Sequence, residues 1–222
     1  MIFEFLKHKW VKWGFVPFSF LMLWLGLSLY NIRAESGFTV LIYQHGKENF
    51  SNFNSRQILA KEKRIGEFRA QYDYLGIVAV KFNTFSKIND DYLLFRIKEK
   101  GSNKWYYENK YKVDQFQNNQ LFPFGFPVIA DSFGKTYVFE IESLHGESGN
   151  AVALSSIDPV FVTKYQYPSK EILGNINKAT SFLKIKLINS FSNKAFLISS
   201  VSIFITVNSI YSLSALFSEV LI

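Results

Sequence analysis

DYLLFRIKEKGSNKWYYENKYKV, residues 91–113, alternates apolar and polar side chains twice, on either side of Gly101-Ser102-Asn103. Leu93, Phe95 and Ile97 fall on one face, and Leu94, Arg96 and Lys98 on the other. After the turn residues, Trp105, Tyr107, Tyr111 and Val113 share one face, opposed by Tyr106, Glu108, Lys110 and Lys112. A repeat of two is the repeat of a strand, whose successive Cβ atoms point to opposite sides. An apolar face against a charged one is the signature of an antiparallel sheet with a core on one side and water on the other.

The same reading extends outward in both directions. Tyr137, Phe139 and Ile141 oppose Thr136, Val138, Glu140 and Glu142, while Phe122, Phe124, Phe126 and Val128 alternate with Pro123, Gly125, Pro127 and Ile129. Segments rich in Asn, Asp and Gly, at 87–91, 131–134 and 146–150, separate these runs as turns. Pro123 and Pro127 lack the N–H that a ladder needs, which predicts an edge or bent strand there. About eight to ten short strands at regular spacing argue a mainly β fold, an antiparallel jelly-roll-like sandwich over residues 38–165.

The two ends read differently. Residues 13–32, WGFVPFSFLMLWLGLSLYNI, carry no charge, and about 20 residues of helix cross a hydrocarbon core of about 30 Å. Lys7, His8, Lys9 and Lys12 precede them, which predicts a cytoplasmic tail over 1–12 and an uncleaved transmembrane helix. Residues 195–218 are also uncharged and form the second expected transmembrane helix, with hydroxyl groups that lipid tolerates through helix-to-helix bonding. Lys184, Lys186 and Lys194 before that segment run against the orientation that the first span sets. Between them, 169–189 repeats apolar residues at three and four, predicting an amphipathic connector helix capped by Ser169. Membrane lipid is therefore an expected partner, and the sandwich is expected outside the cytoplasmic membrane.

Composition narrows the chemistry. The chain has no cysteine, which excludes disulfides, thiolate metal sites and a cysteine nucleophile. Net charge is +7, yet Lys and Arg are scattered without a run, so nucleic acid is not expected as a partner. Of the three histidines, His45 and His145 sit in loop-like contexts without a triad or zinc spacing. Glu140 and Glu142 share a strand face and Asp90-Asp91 sits in a turn, the acid pairs to be weighed for glycoside hydrolysis; solvated acids are the ordinary outcome. A calcium loop would draw on Asp90, Asp91 or Asp158, but no ligand spacing supports it. The expectation is no catalytic residue, no metal and no cofactor. A sugar site needs an aromatic platform flanked by polar groups, and Trp105, Tyr106, Tyr107 and Glu108 are the candidates. Tyr106 is expected to point outward beside Glu108 and Lys110, with Trp105 and Tyr107 packed inside.

Four segments carry a family resemblance: 65–85, 91–99, 126–143 and 149–155, spanning residues 65 to 155. The most specific is 126–143, with Asp131, Ser132, Gly134, Lys135 and Tyr137. Together they resemble a galactose-binding-like β-sandwich domain of bacterial envelope membrane proteins, often joined to polytopic glycosyltransferases. The resemblance implies a non-catalytic extracytoplasmic module that binds envelope glycan or docks with polysaccharide-assembly machinery, such as a polytopic membrane protein. The chain departs from that family in lacking a multi-span glycosyltransferase body. Two other readings stay open: a fragment of a membrane glycosyltransferase whose catalytic part is absent, and a structural partner of another membrane protein without a ligand. The Asp-Ser-x-Gly-Lys-x-Tyr stretch also has a sufficient structural reading as a turn leading Tyr137 inward.

Overall fold

The computed structural model describes residues 9–34, 38–192, 194, 196–203, 205, 206 and 209. Its strands are β1 (Phe38–His45), β2 (Lys63–Arg69), β3 (Leu75–Asn83), β4 (Tyr92–Glu99), β5 (Tyr107–Lys112), β6 (Gln120–Ile129), β7 (Thr136–Ser143), β8 (Ala153–Leu154) and β9 (Phe161–Pro168). They form one sheet in the order β1-β9-β3-β6, with β8 paired to β3, and a second in the order β2-β7-β4-β5. The pairings β2–β7, β3–β6, β3–β9, β4–β5 and β4–β7 are all antiparallel. Apart from the β4–β5 hairpin and the β8–β9 step, successive strands cross between the sheets, so each sheet interleaves early and late strands. That order is the double Greek key of a jelly roll.

Alternation along each strand is what fills the space between the sheets. Phe68 from β2, Phe95 from β4 and Phe139 from β7 meet Phe124 from β6 and Phe161 from β9, and all five are buried. Phe95 stacks on Phe124 at 4.5 Å between centroids, and Phe139 meets Phe161 edge-on at 5.1 Å. Such pairs add about 0.5–1.5 kcal/mol beyond their burial. Gly66 sits opposite Phe139 in the β2–β7 register, and a Cβ there would overlap the Phe139 ring. The β2 strand therefore has no side chain at the point where the aromatic core is thickest.

The proline expectation for 122–129 holds. Those residues lie in β6, which among the described residues pairs only with β3 and ends its sheet. The Asp-Ser-x-Gly-Lys-x-Tyr stretch is a staple between loops. Ser132 Oγ donates to the Tyr72 carbonyl (2.9 Å) and accepts from the Leu75 amide (3.1 Å). Gly134 takes φ +77° and donates to the Ala70 carbonyl, Lys135 pairs with Asp131 at 2.7 Å, and Tyr137 is buried.

The chain divides at 39/40 and 167/168 into two compact units, the sandwich being Val40–Tyr167. The other unit contains the described helices α1 (Lys9–Ala34), α2 (Ser169–Gly174) and α3 (Ile176–Ser192). Among the described residues no helix is long and apolar enough to cross a membrane, so the flanking transmembrane helices expected from the sequence are unsupported there. Most of 195–218 lies outside the described residues, as do residues 1–8 of the expected tail.

The connector is corrected from one helix to two. Asn175 leaves helical geometry at φ −140°, ψ 113°, and its Oδ1 accepts from the amides of Asn177 (3.0 Å) and Lys178 (3.2 Å). That is an N-cap, which starts a new helix where the apolar repeat alone suggests continuity. Ser169 does not cap. Pro168 holds the N-cap position of α2, and the buried Ser169 Oγ has no hydrogen-bond partner among the described residues.

Candidate functional site

The outer face of β2-β7-β4-β5 carries two of the four residues predicted for a sugar site, Trp105 and Glu108, together with the carboxylate pair Glu140 and Glu142. Register lays them in rows across the sheet. Ile65, Glu140, Arg96 and Glu108 form one row, with Lys63, Glu142, Leu94 and Lys110 beside it. Glu140 is the hub of these charges and is only 8% exposed. It accepts from Arg96 Nε at 3.0 Å, from Arg96 Nη2, and from Lys63 Nζ at 3.0 Å. Glu142 takes the same two cations, Arg96 at 3.1 Å and Lys63 at 3.3 Å, and Glu108 approaches Arg96 at 3.5 Å.

The electrostatics of this ladder decide the carboxylate question. Burial works against the charge of Glu140, yet the hydrogen bonds from Arg96 and Lys63 outweigh it and hold the carboxyl below its ordinary range. A hydrolytic acid needs the opposite, a carboxyl kept protonated near neutral pH. Glu140 and Glu142 are thus ion-pair partners. Lys63 is pushed up, first by its hydrogen bond to Glu140.

Trp105 lies on this charged face, half-buried, with Arg96 Cζ and Lys98 Nζ each 4.9 Å from its ring centroid. The sequence reading placed it inside, and the correction has a local cause. The strand β5 begins only at Tyr107, and a bend at Tyr106 breaks the alternation before it. Tyr107 does face inward, opposite Ile97, with its ring 6.2 Å from Phe126 and its hydroxyl 3.4 Å from that of Tyr111. Burial and the Tyr107 hydroxyl together push the Tyr111 phenol up.

Tyr106 is the second correction. It is exposed, but it does not stand beside Glu108 and Lys110. Its ring meets Phe126 edge-on at 6.5 Å and its hydroxyl donates to the Pro127 carbonyl at 3.0 Å. Tyr106 closes the side of the sandwich between the β5 and β6 edges. Of the four candidate residues, the structure brings Trp105 and Glu108 together around Arg96, and turns Tyr106 and Tyr107 away from that face. Arg96 and Lys98, which organise Trp105, were visible in the sequence only as outward positions of β4.

The remaining titratable candidates are structural. His45 is buried, stacked on Phe161 at 4.4 Å, and shares a hydrogen bond with Thr163 Oγ1 at 3.0 Å. Burial lowers it to about 4, so it stays neutral at neutral pH. Asp91 is buried too, accepting from Ser143 Oγ (2.7 Å) and from the amides of Tyr92 and His145. It knots two loops, with its oxygens occupied. Among the described residues no three or more His, Asp or Glu side chains gather as a metal site would require.

No family model matches the chain, and no curated protein matches it. Among solved structures, it is similar to a xylan-binding module, CBM15, at 8% identity and TM-score 0.35, over 57% of this chain and 97% of that one. It is also similar to a carbohydrate-binding module, CBM36, in complex with calcium and xylotriose, at 10% identity and TM-score 0.25, over 58% and 95%. Neither likeness brings the envelope or glycosyltransferase setting that the family resemblance implied. The jelly-roll assignment rests on the strand order.

Proposed function

We propose that the sandwich is a non-catalytic glycan-binding module whose contact surface is the outer face of β2-β7-β4-β5. The carrying observation is Trp105, an indole held on the charged sheet face by Arg96 and Lys98. A flat ring of this kind stacks on the C–H face of a sugar, and the flanking Glu108 and lysines offer hydrogen bonds to hydroxyls. The ladder beneath it, Glu108–Arg96–Glu140–Lys63, holds the guanidinium in place without ligand, so little ordering remains to be done on binding.

The finer reading places the module outside the cytoplasmic membrane, with its N-terminus inside, anchored to lipid and beside polysaccharide-assembly proteins. What supports the lipid contact is α1, where Phe18, Leu21, Met22, Leu23 and Leu27 are exposed on more than one side. The test of binding is a glycan array probed with the full chain and with Trp105→Ala. Retention of particular glycans by the parent, lost in the variant while far-UV circular dichroism is unchanged, is the expected result. Uniform silence, or retention indifferent to Trp105, refutes the reading. Labelling of intact cells with a membrane-impermeant amine reagent tests the location: Lys98 and Lys110 are expected to react.

A further inference from the structure

The acids of the outer face all have cations, whereas some of its cations have no acid. Glu140 and Glu142 hold Lys63 and Arg96, Glu108 approaches Arg96, Glu67 pairs with Lys100, and Asp114 pairs with Lys112. Among the described residues, Lys98, Lys104 and Lys110 pair with no carboxylate. Lys98 instead lies against the Trp105 ring, Lys104 precedes that ring in the chain, and Lys110 sits opposite Leu94. Leu94 and Lys98 share the outer face of β4 about 13 Å apart, at about 3.3 Å per residue. Glu108, Glu140 and Glu142 share only Lys63 and Arg96, which leaves one negative charge against the three lysines and a net of about two positive charges beside the aromatic platform.

Neutral glycans would leave that charge unanswered. An acidic group beside a stacked ring would answer it, in the charge-assisted hydrogen bonds that are shorter and stronger than neutral ones. Resting on the glycan-binding reading above, we infer that the ligand is an acidic glycan, stacked on Trp105, with its carboxylate or phosphodiester charges met by Lys98, Lys104 and Lys110. Nucleic acid fits less well, because Lys and Arg are scattered along the chain and do not form the stripe that a phosphate backbone tracks.

The full chain in mild detergent is titrated with polygalacturonate, with its fully methyl-esterified form, with phosphomannan and with single-stranded DNA. Tight binding of polygalacturonate or phosphomannan, at least about tenfold weaker binding of the ester, and loss of affinity with added salt are expected. Lys110→Gln should weaken the acidic polymer by about tenfold more than the ester, while Trp105→Ala weakens both alike. The preferred acidic polymer identifies the anion. Equal affinity for acid and ester overturns the acidic assignment and leaves the glycan reading standing. Silence towards every polymer overturns both. Binding shared with single-stranded DNA and indifferent to Trp105→Ala overturns the inference as plain charge attraction.

Discussion

Replacing Glu140 with Gln tests whether pairing or desolvation governs the ladder under the site. The native carboxylate is 8% exposed and receives Arg96 through Nε and Nη2, and Lys63 through Nζ at 3.0 Å. Hydrogen bonds to charged groups contribute about 1.5–3 kcal/mol each, and breaking a buried pair outright costs about 3–5 kcal/mol. Two things reduce the loss here. Glu142 keeps both cations, at 3.1 and 3.3 Å, and the neutral amide no longer resists burial. About 2 kcal/mol of destabilisation at pH 7 remains, or about 6–10 °C in melting temperature for a domain of this size.

Urea unfolding of the full chain and Glu140→Gln, followed by circular dichroism across pH, measures it. Glu140 is held below its ordinary 4.5, so below that pH the unfolded state takes up the proton first. The advantage of the parent is then complete above the ordinary carboxylate range and fades as pH falls through the lowered folded value. A variant as stable as the parent at pH 7, or more so, would mean that burial costs exceed pairing, and the account of a preorganised Arg96 fails.

Gly66→Ala should destabilise by about 1–3 kcal/mol in chemical denaturation, since the new methyl meets the packed Phe139 ring. Gly125→Ala, with open space at its Cβ, should stay within about 0.5 kcal/mol. His45, lowered to about 4 from 6.5, favours the neutral form in the fold, so stability should fall as pH drops from 6.5 towards 4, by at most about 3 kcal/mol. His45→Phe should flatten that part of the pH profile, and proton titration by NMR should place His45 well below the ordinary 6.5. Asn175→Ala should fray the start of α3, seen as faster amide exchange at Asn177 and Lys178, at a cost of about 0.5–2 kcal/mol.

Period-two patterning made the strands and the inward Phe set legible, because alternation is written in neighbouring residues. The proline-bearing edge was legible for the same reason: a missing N–H is a local fact. The pairing order was not, since nothing local says that β7 lies between β2 and β4, and it is that order which sets Glu140 between Lys63 and Arg96. Trp105 was misplaced because counting by twos continues only while the chain stays extended, and the bend at Tyr106 lies just outside β5. The connector failed differently. An apolar repeat passes through Gly174 and Asn175 undisturbed, whereas the backbone stops at the side-chain cap that Asn175 provides.

The β6 margin has a consequence for how copies of this protein tolerate crowding. Its outward donors are deleted at Pro123 and Pro127, and two of its outward acceptors are already engaged, the Pro127 carbonyl by Tyr106 and the Gly125 carbonyl by Tyr111 at 3.4 Å. A bare sheet margin templates the growth of foreign strands. This one offers an approaching chain only broken rungs, the Gly125 N–H standing between two prolines, which disfavours the stitching of neighbouring copies into fibrils along that side.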